Sequence, residues 1–132
     1  IPYLWRSPFP LEIQSQLVSF SNPHGSITNS DLELAGTIAQ HDIASQLFDT
    51  REKTLHTLCD NTPAVAWQGK GSTTTTKAAS YLLRLQAFHQ RAYRYCPRHS
   101  HIPGVVNCMA DDCSRLWHLS DSALLAHFNS TY

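Results

Sequence analysis

Charge is scarce in this chain of 132 residues. Charged residues form 15% of it, and ten Lys and Arg balance ten Asp and Glu, so the formal net charge is zero. The low charge and a hydrophobic content of 42% exclude a disordered or acidic tail. A zero net charge taken alone also disfavours a nucleic-acid partner, because proteins that bind DNA or RNA usually carry excess Lys and Arg. The length fits a single domain.

Long apolar runs and paired cysteine motifs are absent as well. No run approaches the roughly 20 residues of a membrane-spanning helix, so no membrane partner is expected. Residues 1–6 contain neither an initiator Met nor the regions of a signal peptide, so we expect a piece of a longer intracellular protein. The four cysteines form no CxxC pair, which disfavours both disulfides and an interaction module held together by zinc. Cys96 and Cys113 are interpreted as small core residues.

The order of apolar and turn-forming segments predicts an α/β fold with a mixed sheet. The predicted helices cover residues 28–48, 63–67, 77–92, 108–117 and 121–128, and the predicted strands cover residues 54–59 and 93–96. Short strands and turns are predicted before the first helix, where Ser30 and Glu33 match a capping box. The apolar side of the third helix, which includes Tyr81, is expected to face the core. Pro97 is expected to end the second strand.

Three acidic residues lie at the ends of predicted elements. Glu33 is near the start of a helix, Asp60 follows a buried strand, and Asp111 opens a late helix. If the fold brings them to one edge of the sheet, their oxygens would suit Mg²⁺, which leaves its other positions to water and phosphate. Two such ions can activate a water and stabilise the leaving oxygen in phosphodiester cleavage. Helix capping by the same acids is the alternative that the spacing leaves open.

Acidic residues are missing from residues 61–110, which carry six of the ten basic residues with aromatic residues among them. Arg84 and Arg91 lie seven residues apart, so they share one face of a predicted helix. Together with Lys70 and the hydroxyls around Thr73, they are candidates for contacts to the phosphates and sugars of a nucleic acid. A solvated helix face is the alternative. The zero net charge is therefore the sum of a basic stretch, residues 61–110, and flanking regions that carry all the acidic residues.

Three motifs resemble the ribonuclease H domain of retroelement reverse-transcriptase polyproteins of the LTR-retrotransposon type. Residues 101–115, HIPGVVNCMADDCSR, resemble the HxPGxxNxxADxxSR signature near the end of that domain. Residues 28–35, TNSDLELA, resemble the start of its first helix, and residues 59–61, CDN, resemble the TDN or TDS that ends its fourth strand. The motifs stand in family order and cover about residues 20–117. Residues 118–132 are interpreted as a C-terminal helical extension.

The resemblance implies a mixed sheet of five strands flanked by helices. It also implies cleavage of the RNA strand of RNA–DNA hybrids by a nuclease with two Mg²⁺ ions during reverse transcription. Glu33, Asp60 and Asp111 match the second, third and fourth metal-binding acids of the family. His101 matches a loop histidine that assists proton transfer or product release, and Asn61 matches a position that contacts the hybrid backbone. The implied partners are the hybrid and the rest of the polyprotein, in the cytoplasm, the nucleus or a retroelement particle.

The first acid of the family, an Asp in the first strand, has no counterpart here. Glu12 is the one acid before Asp31, and its Pro-rich surroundings do not suit a central strand. Either the chain is a fragment or the domain has decayed. We expect a fragment in which residues 1–117 form the domain with the first strand missing and residues 1–6 form the second or third strand. This chain alone is then expected to be nearly inactive. The alternative is a non-catalytic nucleic-acid-binding or connection module with the same fold.

Overall fold

The computed structural model describes residues 3–73 and 75–132 and has an α/β architecture. Its elements follow in this order: α1 (Leu11–Gln14), α2 (Asn29–Leu47), β1 (Thr54–Cys59), α3 (Thr62–Lys70), α4 (Lys77–Tyr93), β2 (Cys96–His101), a 3₁₀ turn (Gly104–Val106), α5 (Cys108–Arg115) and α6 (Asp121–Thr131). The two long helices and β1 occur where the sequence predicts them. None of the helices in these two ranges is long and apolar enough to cross a membrane.

The sheet of the described residues consists of β1 and β2, which run parallel. Cys59 of β1 is in register with His101 of β2, and the N–H of Ile102 donates to the Cys59 carbonyl at 3.0 Å. The predicted mixed sheet is therefore corrected to one parallel pair in the part of the chain that the structure describes. Parallel strands need a long crossover, and α3 and α4 supply it.

Pro97 lies inside β2, whereas the sequence predicted that it ends a strand begun at residue 93. The N–H groups of Cys96 and Ile102, which occupy even positions of this segment, donate to carbonyls on the β1 side. Because successive residues of a strand turn their N–H groups to opposite sides, position 97 faces away from β1, and its missing N–H interrupts no bond. Proline is tolerated there because it lies on the edge of the sheet.

Helix α2 is capped by Thr28, not by Ser30 as predicted. The Thr28 side chain accepts a hydrogen bond from the Asp31 N–H at 3.2 Å, and the Asp31 carboxylate accepts one from the Thr28 N–H at 2.8 Å. This is a capping box two residues earlier than the sequence-based prediction. Glu33 consequently lies in the second turn, and its carboxylate is available for other contacts.

Helices α2 and α4 lie side by side and run in the same direction. Thr76, which caps α4, donates to Asp31 at 2.6 Å near the start of both helices, and His89 bonds to Asp42 at 3.0 Å farther along. The core lies between these helices, α3 and β1. Its buried residues are Leu34, Ile38, Cys59, Ala64, Ala79 and Leu83.

The buried side of α4 differs from the predicted one. Ala79, Leu83 and Gln86 are buried, whereas Tyr81 is 61% exposed and Phe88 is 73% exposed. The prediction that Tyr81 faces the core is wrong. Gln86 forms a buried hydrogen bond to His41 of α2, and a buried polar group needs such a partner. This bond requires Gln86 to face α2, so the orientation of α4 about its axis differs from the one that its apolar pattern predicts.

The segment before α2 forms no strand in its described residues. It contains the short helix α1 and two isolated bridges, Leu17 with Ile27 and Ser19 with Asn22. The predicted short strands are therefore wrong. Residues 3–6 have no regular structure, and residues 1 and 2, which share the predicted strand with them, lie outside the described part. The prolines of this segment limit pairing because each lacks an N–H donor.

The C-terminal segment packs on the start of the chain. Arg6 donates to the carbonyls of Leu116 and Leu119 at 2.7 and 2.6 Å. The predicted extension, residues 118–132, contains α6, and His127 of this helix donates to Asp112 of α5 at 2.9 Å. These contacts join the two ends of the chain.

Candidate functional site

Two carboxylates and one thiol meet at the carboxyl end of β1. One oxygen of Glu33, one oxygen of Asp60 and the sulfur of Cys59 all lie within 4.8 Å of one another. Cys59 ends β1, Asp60 follows it, and Glu33 reaches them from α2. Ligands of α/β proteins gather at this edge of the sheet, because the strand ends there and leaves room between the following loops.

The surroundings of Glu33 are partly buried and negatively charged. Burial raises the pKa of its carboxyl above the ordinary value, and the negative charge of Asp60 raises this pKa further. The ion pairs found among the described residues include neither Glu33 nor Asp60. Two carboxylates that share a site without a basic partner favour a bound cation, because its charge offsets their repulsion.

Cys59 was missed as a candidate ligand by the sequence reasoning. Its thiol is buried, which raises its pKa, and its sulfur accepts the Asn61 N–H at 3.5 Å. Its position in the sequence could have identified it, because Cys59 is the last residue of a buried strand and directly precedes Asp60 at the edge of the sheet. A thiol is a softer ligand than a carboxylate, so it favours Zn²⁺ over Mg²⁺.

The loop after β2 borders this group. A Cβ atom added at Gly104 would lie 3.6 Å from Oδ2 of Asp60, so the backbone passes close to that carboxylate. The hydrogen bond from Ile102 to Cys59 holds the loop in place. His101, predicted to be catalytic, is the exposed last residue of β2 beside the same edge.

Asp111 is not part of the group of three. Its carboxylate accepts a hydrogen bond from Nε of Arg115 at 2.7 Å, and its side chain is about half exposed on α5. The structure thus brings together two of the three acids predicted from the sequence. An ion pair between residues four apart on a helix is weak at an exposed position, so it leaves Asp111 able to exchange partners.

The residues predicted to contact nucleic acid lie on α3, α4 and the connection between them. Asn61 caps α3 and accepts the Ala64 N–H at 2.9 Å. Lys70 is exposed at the end of α3, and Thr73 donates to the Thr75 hydroxyl at 3.0 Å. Arg84 and Arg91 are exposed on α4. Among the residues with described side chains, these basic groups take part in no ion pair.

Residues 96–113, which contain three of the four cysteines and two histidines, contribute to no cluster of three possible metal ligands in the described structure. Cys113 is buried, as predicted. Cys96 is exposed, so the prediction that it is a core residue is wrong. The reason is its position, because Cys96 is the first residue of β2 and is in register with Thr54, the exposed first residue of β1.

No protein-family model, no curated protein and no solved structure matches this chain.

Proposed function

We propose that the chain forms part of a ribonuclease H-like domain of a retroelement polyprotein, which cleaves the RNA strand of RNA–DNA hybrids inside the cell. The observation that carries the proposal is the approach of Glu33 and Asp60. They are 27 positions apart in the chain, in two motifs that resemble metal-binding motifs of that family, and their oxygens lie within 4.8 Å. This proximity supports the proposal, because the family would use the matching two acids to bind metal.

The donor set fits a divalent cation in part. Glu33 and Asp60 offer the oxygen ligands that Mg²⁺ prefers, and neither has a competing ion pair in the described structure. Asp111 would complete the oxygen set only after leaving Arg115. The sulfur of Cys59 adds a donor that Mg²⁺ binds poorly. We therefore expect Glu33 and Asp60 to hold Mg²⁺ weakly in this chain.

The residues around Glu33 and Asp60 leave room for a substrate to approach the two carboxylates. Mg²⁺, when bound, supplies activation of a water and stabilisation of the leaving oxygen of the scissile phosphate. Gly104 leaves space in front of Asp60, because no side chain projects from it. His101 is exposed at the end of β2, in register with Cys59 at the same edge of the sheet. Asn61 lies directly after Asp60, within reach of a strand that approaches the carboxylates.

The experiment measures binding of a labelled RNA–DNA hybrid in Mg²⁺ and in EDTA. We expect tighter binding in Mg²⁺, and we expect Glu33→Gln and Asp60→Asn to remove the difference because each deletes a ligand charge. Little or no cleavage is expected from this chain alone, since its oxygen ligands are incomplete. Cleavage that Asp60→Asn abolishes would support the enzyme and show that two acids suffice.

Glu12→Gln is the matched control, because Glu12 is an exposed carboxylate on α1 outside the group. It is expected to keep the Mg²⁺ effect. A ribonuclease H-like site would be contradicted if the hybrid binds equally well in Mg²⁺ and in EDTA, both to the unmodified chain and to the two variants.

A second candidate is a non-catalytic nucleic-acid-binding or connection module of the same polyprotein. The exposed Arg84 and Arg91 on α4 favour it, because they need no metal to contact phosphates. Under this function, Arg84→Ala with Arg91→Ala weakens hybrid binding in EDTA, and Glu33→Gln changes nothing. The two functions therefore separate in the same assay.

A further inference from the structure

The solvent-facing side of α4 carries a stripe of large apolar residues. Tyr81, Leu85 and Phe88 are 61%, 43% and 73% exposed, although their spacing is the one that normally packs into a core. The opposite side of the helix, with Leu83 and Gln86, packs on the core and on α2. The stripe is thus uncovered in the described structure.

The same side of α4 is basic. Lys77, Arg84 and Arg91 alternate with the apolar residues, and the helix contains no Asp or Glu. At 3.6 residues per turn, these three cations together with Tyr81 and Phe88 fall within an arc of about 80°. The cations extend over roughly 21 Å of helix at 1.5 Å per residue. No ion pair among the described residues neutralises them.

Hydroxyl groups lie at the first turn of this surface. Ser80 and Tyr81 line a shallow depression together with Lys77, Arg84 and Thr76, whose hydroxyl already donates to Asp31. Lysine, arginine and hydroxyl side chains are the groups that contact phosphate and sugar oxygens. An aromatic ring beside them offers a face on which a base can stack.

We propose that this face of α4 binds single-stranded nucleic acid, with Tyr81 and Phe88 stacking on bases and Lys77, Arg84 and Arg91 contacting the backbone. Charge complementarity selects a polyanion, because the face has three cations and no acid. The exposed rings select a single strand, because paired bases hide their faces in a duplex. The function is separate from the carboxylates of Glu33 and Asp60 and needs no metal.

The experiment titrates the whole chain in EDTA with a fluorescent oligothymidine, measured by anisotropy at several salt concentrations. Tyr81→Ala and Phe88→Ala are each expected to weaken binding by about 5-fold or more, because one base then loses its stacking partner. Phe88→Trp is expected to retain binding. Arg84→Ala combined with Arg91→Ala should reduce the salt dependence, log Kd against log salt, by about 1.4, since each phosphate contact to a single strand contributes about 0.7.

Two controls match these variants elsewhere on the surface. Phe20→Ala removes an aromatic ring that is fully exposed, and Arg51→Ala removes an exposed arginine that pairs with Asp49. Neither variant should change binding of the oligonucleotide. The Asp60→Asn variant should also bind it normally, because the α4 surface needs no metal.

Three results would overturn the proposal. One is binding that is unaffected by Tyr81→Ala and Phe88→Ala. Another is a duplex of the same length that binds as tightly as the single strand. The third is self-association of the chain that Phe88→Ala abolishes, because a second copy would then be the partner of this face.

Discussion

Single residues at the carboxyl end of β1 determine which ligand atoms this edge of the sheet offers to a cation. Glu33 and Asp60 are hard oxygen donors, and Cys59 places a sulfur within 4.8 Å of both. Soft ligands select thiophilic ions, whereas carboxylates suit Mg²⁺. The three atoms belong to one group, so the same site offers ligands for Mg²⁺ and for thiophilic ions. The residue at position 59 therefore decides which kind of ion the site favours.

We predict that Cys59→Ser lowers the affinity for Cd²⁺, a thiophilic probe, by more than about tenfold, since loss of a ligand costs at least as much as loss of a residue that hydrogen-bonds to a ligand. Mg²⁺ binding should change little, because both carboxylates remain. The measurement is the ultraviolet thiolate-to-cadmium absorption in a Cys96→Ser and Cys108→Ser background, which removes the exposed thiols.

Cys113→Ser is the control, because this thiol is also buried but lies on α5 outside the group. Equal Cd²⁺ affinity of the Cys59→Ser and Cys113→Ser variants would show that Cys59 is not a ligand.

At the scale of elements, a chain of buried and partly buried hydrogen bonds joins both long helices to β1 and to Tyr95, which directly precedes β2. Each side chain donates to the next in this order: Thr57 to His41 (2.9 Å), His41 to Gln86 (3.0 Å), Gln86 to Tyr95 (2.9 Å), Tyr95 to His89 (2.6 Å) and His89 to Asp42 (3.0 Å). This order holds when both histidines are neutral. The network satisfies polar groups that the core would otherwise leave unpaired.

Histidines at the same junction favour the neutral form. Burial lowers the pKa of His41, and burial together with the charges of His41 and His56 lowers the pKa of His99 to about 4. The Nδ1 atom of His99 is buried without a hydrogen-bond partner in the described structure. Protonation of either ring would place a charge beside other histidines in a poorly solvated site.

Acidification is therefore predicted to destabilise the protein. Between the ordinary histidine pKa of 6.5 and about 4, the unfolded chain binds more protons at position 99 than the folded chain. The contribution of His99 is fully present above pH 6.5 and falls, at most, by about 1.4 kcal/mol per pH unit below it. Urea unfolding at pH 7 and pH 5 measures this loss.

The His99→Leu variant should lose less stability between these two pH values, because it removes the titrating group without breaking a hydrogen bond of Nδ1. His118→Gln, a change at an exposed residue, should keep the full loss. An identical pH dependence in His99→Leu and the unmodified chain would contradict the assignment.

At the scale of the whole molecule, Arg6 joins segments more than one hundred residues apart. Its guanidinium donates to the Leu116 and Leu119 carbonyls and lies 4.9 Å from the ring centre of Trp117. Its side chain is only 13% exposed. The planar fork of arginine serves two acceptors at once, which lysine cannot do with the same geometry.

We predict that Arg6→Ala and Arg6→Lys both lower the free energy of unfolding, the former by about 3 kcal/mol or more, because each of its two hydrogen bonds from a charged group contributes about 1.5–3 kcal/mol. Urea unfolding measures the change. Arg51→Ala, which removes an exposed pair with Asp49, should have little effect. An Arg6→Ala variant as stable as Arg51→Ala would show that the N-terminal segment does not stabilise the fold.

The sequence predicted the helices well and the strands in part. Caps, turn residues and helical spacing act within a few positions, so α2, α4 and β1 are readable from the chain itself. The second strand was misplaced because Pro97 interrupts no bond on an open edge, a condition that depends on the position of β1. The ribonuclease H resemblance remains a prediction, supported by the contact of Glu33 with Asp60.

By itself, the sequence determined where the long helices and β1 form and which acids lie at their ends, because these depend on local backbone preferences. Only the tertiary structure decided that Glu33 and Asp60 meet while Asp111 pairs with Arg115, and that Cys59 joins the group. It also decided that α4 turns its apolar and basic stripe outward. Buried Gln86 must reach His41, and this polar contact between distant residues outweighs an apolar pattern along one helix.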